Sequence, residues 1–383
     1  MPQLQVNILS LKVDMKVLIT GSKGFVGKNL KLALGELGGF DILTFDRGDS
    51  LDLLKELVSQ SSLIIHLAGE NRPVDPDSFL EVNVGLTRSL CQFIELTGRS
   101  IPIIYSSSKQ ADDSKSPYAQ SKRSAEAVIQ EFSELSNNPA LIYRLENVFG
   151  KWIRPNYNSV VGTFSYNIAR DLPIHIHDEI TLIKLIYIDD VIKDFIRQIK
   201  STWVGCMFRE ISPQYSITVG DLAKQLYEFK SSRETLIIPR VGSGLVRALY
   251  STYVSYLPVE AFSYSVPKYG DARGDFVEML KTPDCGQFSY FTALPGVTRG
   301  GHYHHTKTEK FLVISGSARF GFRHMLTGEK YELLTTGDNP QVVETVPGWT
   351  HDITNIGNEK MVVMLWANEI FNREQPDTIA SKV

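Results

Sequence analysis

The stretch Ile101–Lys122, IPIIYSSSKQADDSKSPYAQSK, decides the fold of the first two-thirds of the chain. Ile101–Tyr105 has the composition of a short apolar strand, and it ends in three serines, Ser106 to Ser108. Tyr118-x-x-x-Lys122 then opens a helix whose apolar residues Ala125, Val128, Ile129 and Phe132 recur at spacings of three and four. Four apart on a helix, Tyr118 and Lys122 share one face. A free tyrosine titrates near pH ~10, and a neighbouring ammonium favours the phenolate, so the spacing predicts a lowered tyrosine pKa. With a strand-end hydroxyl to hold a carbonyl, this is equipment for moving a proton between a ketone and an alcohol.

Upstream, Met15–Thr20 reads as a buried strand, and Gly21-Ser22-Lys23-Gly24-Phe25-Val26-Gly27 turns it into a helix. Glycines here allow a tight turn, close approach of a diphosphate to the backbone, and close helix–strand packing. The amides of that helix start, among them those of Phe25 and Val26, face the diphosphate. A second strand, Phe40–Phe45, ends in Asp46-Arg47. The acid suits the free ribose hydroxyls of NAD and the arginine suits the extra phosphate of NADP, which leaves the choice open with NADPH favoured over NADH. Leu63-Ile64-Ile65-His66-Leu67-Ala68-Gly69 is another buried strand, its Leu67, Ala68 and Gly69 small enough at the backbone for a cofactor to lie against them. His66, inside an apolar run, is expected to be packed and hydrogen-bonded rather than catalytic.

Bulk properties exclude several classes. A chain of 383 residues suits two domains. A net charge of -3 offers nothing to nucleic acid or an acidic membrane surface. Cys91, Cys206 and Cys285 have no paired spacing, which predicts reduced thiols and a cytoplasmic setting. No apolar run reaches the ~18 residues of a membrane span. Residues 1–14 lack the basic start and apolar core of a secretory signal and are read as an extension.

Thr20-Gly21-x-x-Gly24-x-x-Gly27, His66-Leu67-Ala68-Gly69, Asn83, Ser106–Ser108, Tyr118-x-x-x-Lys122, Arg144-x-x-Asn147-Val148-Phe149-Gly150 and Tyr187-Ile188-Asp189-Asp190-Val191 together resemble the extended short-chain dehydrogenase/reductase family, over about Met15 to Tyr250. The resemblance implies a doubly wound parallel sheet and a nucleotide-sugar substrate. Tyr118 would be the proton donor, Lys122 its support, and Ser108 the carbonyl holder, or Ser107 if the strand end shifts by one. Arg72, Asn83, Arg144 and Asn147 would meet the substrate. Family members that dehydrate sugars carry Asp-Glu directly after the hydroxyl residue, where this chain has Lys109-Gln110. Reduction of an existing ketone therefore fits better than dehydration.

The aliphatic and tyrosine-rich passage Gly242–Pro258 is expected to be a helix closing this reductase domain, residues 15–257. Residues 258–383 change character to alternating strands and glycine turns. There, His302-x-His304-x4-Glu309 is followed by Pro347-Gly348-Trp349-Thr350-His351. Histidines two apart on a strand point to one face, and Glu309 and His351 complete a mixed nitrogen and oxygen set for one divalent metal. Zinc is the first choice, with iron, manganese or nickel open. His305 and His324 are expected at the surface. Tyr303, His305 and Asp352 neighbour the ligands, but none identifies itself as a base.

Both segments match the motifs of the cupin family, implying a small all-β barrel and, by the habit of cupins, a homodimer. Asp271-x-Arg273-Gly274-x-Phe276-x-Glu278 is similar to a run in nucleotide-keto-sugar 3,5-epimerases, with Arg273 toward a diphosphate. A reductase fused to such a cupin is a narrow combination that resembles the capsular polysaccharide assembling family. That resemblance implies work on the path to UDP-N-acetyl-L-fucosamine for capsule or O-antigen. The cupin would epimerise carbon 3 of a UDP-2-acetamido-2,6-dideoxy-4-hexulose, and the reductase would reduce carbon 4 to give UDP-2-acetamido-2,6-dideoxy-β-L-talose. The alternative is a reductase alone, with a structural or dimerising metal-binding cupin.

Overall fold

A computed structural model describes residues 15–71, 79–112, 116–266, 268–271, 274–277, 279–280, 286–369 and 374–383. Arg72, Arg273 and Cys285 lie outside them, as do residues 1–14. In the first half, strands and helices alternate: β1 (Met15–Thr20), α1 (Phe25–Leu37), β2 (Phe40–Phe45), α2 (Leu51–Gln60), β3 (Leu63–His66), α3 (Leu86–Leu96), β4 (Ile103–Ser108), α4 (Pro117–Ser136) and β5 (Ala140–Leu145). Then come β6 (Asn147–Phe149), α5 (Val160–Ile168), β7 (Leu182–Tyr187), α6 (Ile188–Ile199), β8 (Cys206–Arg209), β9 (Tyr215–Thr218), α7 (Val219–Thr235) and α8 (Gly244–Val254).

The main sheet is parallel throughout, in the order β2-β1-β3-β4-β5-β8. Its central strands are covered on both faces, which is why Val17, Leu18, Ile19, Ile64, Ile65, Ile103 and Ile104 read as unbroken apolar runs with no exposed surface. The order departs from the six-strand Rossmann arrangement 3-2-1-4-5-6. Between Asp46 and Leu63 the chain has room for one ten-residue helix, α2, so it returns directly to the far side of β1. The switch point, where a ligand crevice opens at the strand ends, therefore lies between β1 and β3.

His66 is packed as expected. Thr87 Oγ1 donates to Asn83 O (2.6 Å) and so accepts from His66 Nε2 (2.9 Å), while His66 Nδ1 accepts from Thr20 Oγ1 (2.7 Å). Burial, with the Lys122 charge adding to it, lowers the His66 pKa to about 3. The unfolded chain then binds a proton that the native chain does not between about pH 6.5 and 3, so stability should fall as the pH falls through that window. A slope of ~1.4 kcal/mol per pH unit gives roughly 2 kcal/mol lost by about pH 5. The urea midpoint of His66→Gln, which cannot titrate, should show a shallower acid slope; equal slopes would refute the assignment.

The second half of the chain contains antiparallel strands: β10 (Ser263–Ser265), β11 (Lys268–Asp271), β12 (Gly274–Val277), β13 (Gln287–Ala293), β14 (Thr298–Tyr303), β15 (Glu309–Ser315), β16 (Ser317–His324), β17 (Lys330–Thr336), β18 (Gln341–Glu344), β19 (Trp349–Asn355), β20 (Met361–Ala367) and β21 (Ile379–Ala380). They form two five-stranded sheets, β10-β18-β15-β20-β13 and β17-β16-β19-β14-β21, with β11–β12 as a separate pair. Phe311, Phe320 and Phe322 fill the space inside.

Compactness divides the chain at places other than Leu257. One unit runs to Glu146 and takes in Ile188–Pro213; the other joins Asn147–Tyr187 to everything from Gln214 onward. Helix α8 falls where the Gly242–Pro258 passage predicts it, but Ala248 to Val254 are all buried, because it packs within the same unit as the barrel.

Candidate active sites

At the first site the glycine loop is shaped by close contacts. A Cβ on Gly21 (φ +74°) would stand 2.8 Å from Ala68 N, and one on Gly27 only 2.3 Å from Gly21 O. Gly24 begins α1 with no side-chain cap, and the first turn carries no acid. The opening amides of α1 are thus available to a diphosphate. Asp46, expected at the ribose, is already engaged: it accepts from Ser22 Oγ (2.7 Å) and from Lys23 N (2.8 Å), and it is buried. Arg47 is exposed and ion-paired to Glu70.

At the end of β4, Ser107 is buried and its hydroxyl donates to Glu126. Ser108 is half-buried, its hydroxyl accepts from Gln110 N (3.2 Å), and it is near enough to Tyr118 to lower the phenol's pKa. Ser116 caps α4 by accepting from Ala119 N (3.0 Å), with Pro117 in the first turn, so the helix begins just before the tyrosine. Lys122 is buried, and its ammonium donates to Ser106 O (2.9 Å) and lies 5.0 Å from the centre of the Tyr105 ring. The expected lowering of Tyr118 does not occur. Burial raises its pKa, opposed only in part by Ser108, while burial lowers Lys122 to about 8 against the pull of Glu126. The reason is geometric: the ammonium is directed at the β4 backbone and Tyr105. A raised phenol keeps its proton at neutral pH, as a donor must.

Two residues expected at the substrate are spent on the protein. Asn83 is buried; its Oδ1 accepts from Glu70 N (2.7 Å), and its Nδ2 donates to Glu70 O (3.0 Å) and Ser121 Oγ (2.9 Å). It ties the segment after β3 to α4. Arg144 pairs with buried Glu126 (2.6 Å) and with Asp112 (2.5 Å). Asn147 is exposed and donates to Lys184 O (2.9 Å).

The second site brings together the four residues expected to bind metal. One ligand atom from each of His302, His304, Glu309 and His351 lies within 4.8 Å of the others. The imidazole centroids stand 4.8 to 5.2 Å apart. Glu309 Oε2 is 3.1 Å from His304 Nε2, while His351 Nε2, at 3.5 Å, makes no proper hydrogen bond. Burial, then the neighbouring imidazoles, lowers His302 to about 3, and burial lowers His351 too, so both are neutral donors. Burial works to raise Glu309, but the neighbouring His304 and His351 and the Lys307 charge hold it well below the usual range. Orphaned buried imidazole nitrogens facing an ionised carboxylate fit a divalent cation. Tyr303 and Asp352 occupy alternate strand positions to the ligands, so neither faces the set; Asp352 pairs with Arg319 (3.1 Å). His305 and His324 are half-buried rather than at the surface, His324 being packed 5.0 Å from Trp349.

Family models agree with this division of labour. The NAD dependent epimerase/dehydratase family matches residues 17–202, and the polysaccharide biosynthesis C-terminal domain matches residues 269–379. The chain is 56% identical to UDP-2-acetamido-2,6-beta-L-arabino-hexul-4-ose reductase of Pseudomonas aeruginosa, over 96% of this chain and 99% of that protein. It is also similar to the crystal structure of the capsular polysaccharide assembling protein CapF from Staphylococcus aureus, with TM-score 0.67, 39% identity, and coverage of 96% and 100%. The chain belongs to the CapF family.

Its first part alone is similar to UDP-glucose 4-epimerase of Thermotoga maritima, with TM-score 0.51, 20% identity, and coverage of 57% and 83%, which reflects a shared fold. Epimerase/dehydratase membership implies a nicotinamide cofactor for this CapF-family chain, and the glycine loop fits one. Around the metal set, two residues escape the motifs. Asp377 O accepts from His304 Nδ1, which would leave Nε2 to a metal, and its carboxylate accepts from the amides of His305 (2.8 Å), Thr306 (2.6 Å) and Lys307 (2.7 Å). Lys307 Nζ holds the other oxygen of Glu309 (2.7 Å). Neither carries a spacing signal, because Asp377 lies some seventy residues beyond the loop it caps.

Proposed function

We propose that the chain is a bifunctional nucleotide-sugar enzyme. The barrel inverts carbon 3 of a UDP-2-acetamido-2,6-dideoxy-4-hexulose, and the reductase part converts the carbon-4 ketone to the alcohol, giving UDP-2-acetamido-2,6-dideoxy-β-L-talose on the way to UDP-N-acetyl-L-fucosamine. The observation that carries this reading is the Ser108–Tyr118–Lys122 arrangement in one chain with an intact three-histidine, one-glutamate set. The substrate named for the Pseudomonas relative supports it.

Gly21, Gly24 and Gly27 with the start of α1 would hold NADPH, which supplies the hydride when bound. Ser108 orients the ketone oxygen, and Tyr118 gives that oxygen its proton as carbon 4 is reduced, with Lys122 fixed beneath. Among the barrel residues, His302, His304, Glu309 and His351 would hold a divalent ion, zinc by preference, which supplies Lewis acidity. Carbon 3 is acidic only while carbon 4 is a ketone, so inversion precedes reduction. A soluble homodimer in the cytoplasm completes the reading.

The purified protein, given the 4-hexulose in heavy water, should incorporate deuterium at carbon 3 without NADPH and oxidise NADPH when it is added. NADPH oxidation with no exchange would leave a reductase alone. NADPH over NADH rests on Arg47 and on the engagement of Asp46 by Ser22 and Lys23, which removes the acceptor a free ribose hydroxyl would use. Arg47→Ala should weaken NADPH by about tenfold or more, the loss of a charge-assisted contact, and leave NADH nearly unchanged. Equal losses for both cofactors would overturn the assignment.

A further inference from the structure

The four-residue stretch His305–Thr308 joins two metal-set residues, His304 and Glu309, and it is held from several sides. Inside the barrel, Asp377 caps its amides, and Asn368 accepts from Thr308 N (2.9 Å) and donates to Thr306 O (3.3 Å). From outside the barrel comes α8. Ser251 Oγ donates to Thr306 O (2.7 Å), and Arg247 donates to Thr306 Oγ1 while pairing with Glu369 (2.6 Å). Both α8 residues precede Leu257, the expected end of the reductase domain.

The other metal-bearing segment is also braced from outside the barrel. Trp152, in the left-handed region at φ 71°, packs against Gly348, where an added Cβ would stand 2.9 Å from the indole. Gly348 N donates to His304 O (3.2 Å), and three residues later His351 enters the metal set. Next to the Glu309 strand, Glu344 pairs with buried Lys310 and with Arg233 of α7 (2.9 Å), and Thr345 bonds Glu309 through its hydroxyl and its amide (2.9 Å each). Each metal-bearing segment thus has a support contributed by residues before Leu257.

We infer that Arg247, Ser251 and Trp152 are positioning residues for the barrel's metal set, so that the segments ahead of Leu257 that pack in the barrel's own unit supply the scaffold on which the ligands hold their geometry. This rests on the reading of His302, His304, Glu309 and His351 as metal ligands. The physical basis is that a ligand set binds well only when its supports hold it in place, and losing one such support typically weakens metal affinity about 10–100-fold. Removing the hydroxyl of Ser251 or the guanidinium of Arg247 takes away one support of Thr306 while Asp377 and Asn368 keep theirs, and so loosens the link between His304 and Glu309.

The test uses full-length protein and zinc alone. Zinc affinity, measured by competition with a chromophoric chelator, should fall about tenfold or more in Ser251→Ala and in Arg247→Met. Arg247→Lys should recover part of it, and Lys224→Met on the exposed face of α7 should match the parent. The ligand-field spectrum of the cobalt-substituted variants should shift as well, which a purely structural role in α8 would not produce. If the parent binds zinc and the folded variants bind it equally tightly with unchanged cobalt spectra, the inference fails while the metal reading stands. If the parent itself binds no zinc or cobalt, the metal reading fails and takes the inference with it.

Discussion

Replacing Tyr118 with phenylalanine should cut ketone reduction about 10²–10⁴-fold, the usual worth of a positioned proton donor. The hydroxyl is the only part removed, and it is the part whose pKa Ser108 lowers. The ring keeps its packing against Phe79, with centroids 5.8 Å apart, so cofactor affinity and thermal stability should hold. Deuterium exchange at carbon 3 should survive, because nothing in the metal set changes. Rapid-quench kinetics and mass spectrometry of the sugar nucleotide check both arms. Reduction within a few-fold of the parent would remove Tyr118 from the chemistry. Lost exchange, in a protein whose metal content is intact, would mean that proton abstraction at carbon 3 belongs elsewhere than the barrel.

Stripping the metal should have the second large effect. Without a cation, the barrel buries an ionised Glu309 facing three imidazoles, two of them held neutral by burial. A bound ion present at ~1,000 times its dissociation constant adds roughly 4 kcal/mol to folding. Chelator treatment should therefore lower the unfolding midpoint of the barrel by several degrees, and zinc should restore it. His351→Ala should contain well under one metal per chain and unfold at the same temperature with or without chelator. Full metal content in that variant, or a midpoint indifferent to chelation in the parent, would show that the ligand set is wrong.

Local patterns in the sequence carried the strands, the glycine loop and the metal set, because each is written in spacings of two to five residues. His302 and His304 are readable as co-facial from strand periodicity alone, and Glu309 and His351 as the residues that complete a mixed nitrogen and oxygen set. The sequence places Ser108 first and Ser107 second; that Glu126 holds Ser107 is visible only from the packing of α4. The partners of Asn83 and Arg144 are hidden from the sequence for the same kind of reason. Their motifs mark them as important, but the saturation of their side chains by Glu70, Ser121 and Glu126 depends on contacts up to 38 residues away. The clamp on Thr306 was invisible: Arg247 lies 59 residues before it, in a helix that alternates aliphatic and aromatic residues for burial. The sheet order was half legible. The short span between Asp46 and Leu63 excluded an extra strand, but the side of β1 on which β3 would land was not written there.

That missing strand leaves the cofactor crevice with a spare rim. Among the described residues β2 is the edge of its sheet, so no further strand-end loop lies beyond Asp46 to shape a pocket for the nucleoside. Directly after β2 the chain closes a tight local turn, Asp46 N donating to Asp49 Oδ2 (2.8 Å) and Asp49 N to Asp46 O (3.1 Å), with Gly48 at φ 98°. On the proposed reading, discrimination between the two nicotinamide cofactors would fall to charge displayed on one short turn rather than to the contour of a cavity. A preference built that way would be easy to revise: one or two substitutions at the turn, with the sheet untouched, should redirect the enzyme from one pool of reducing equivalents to the other.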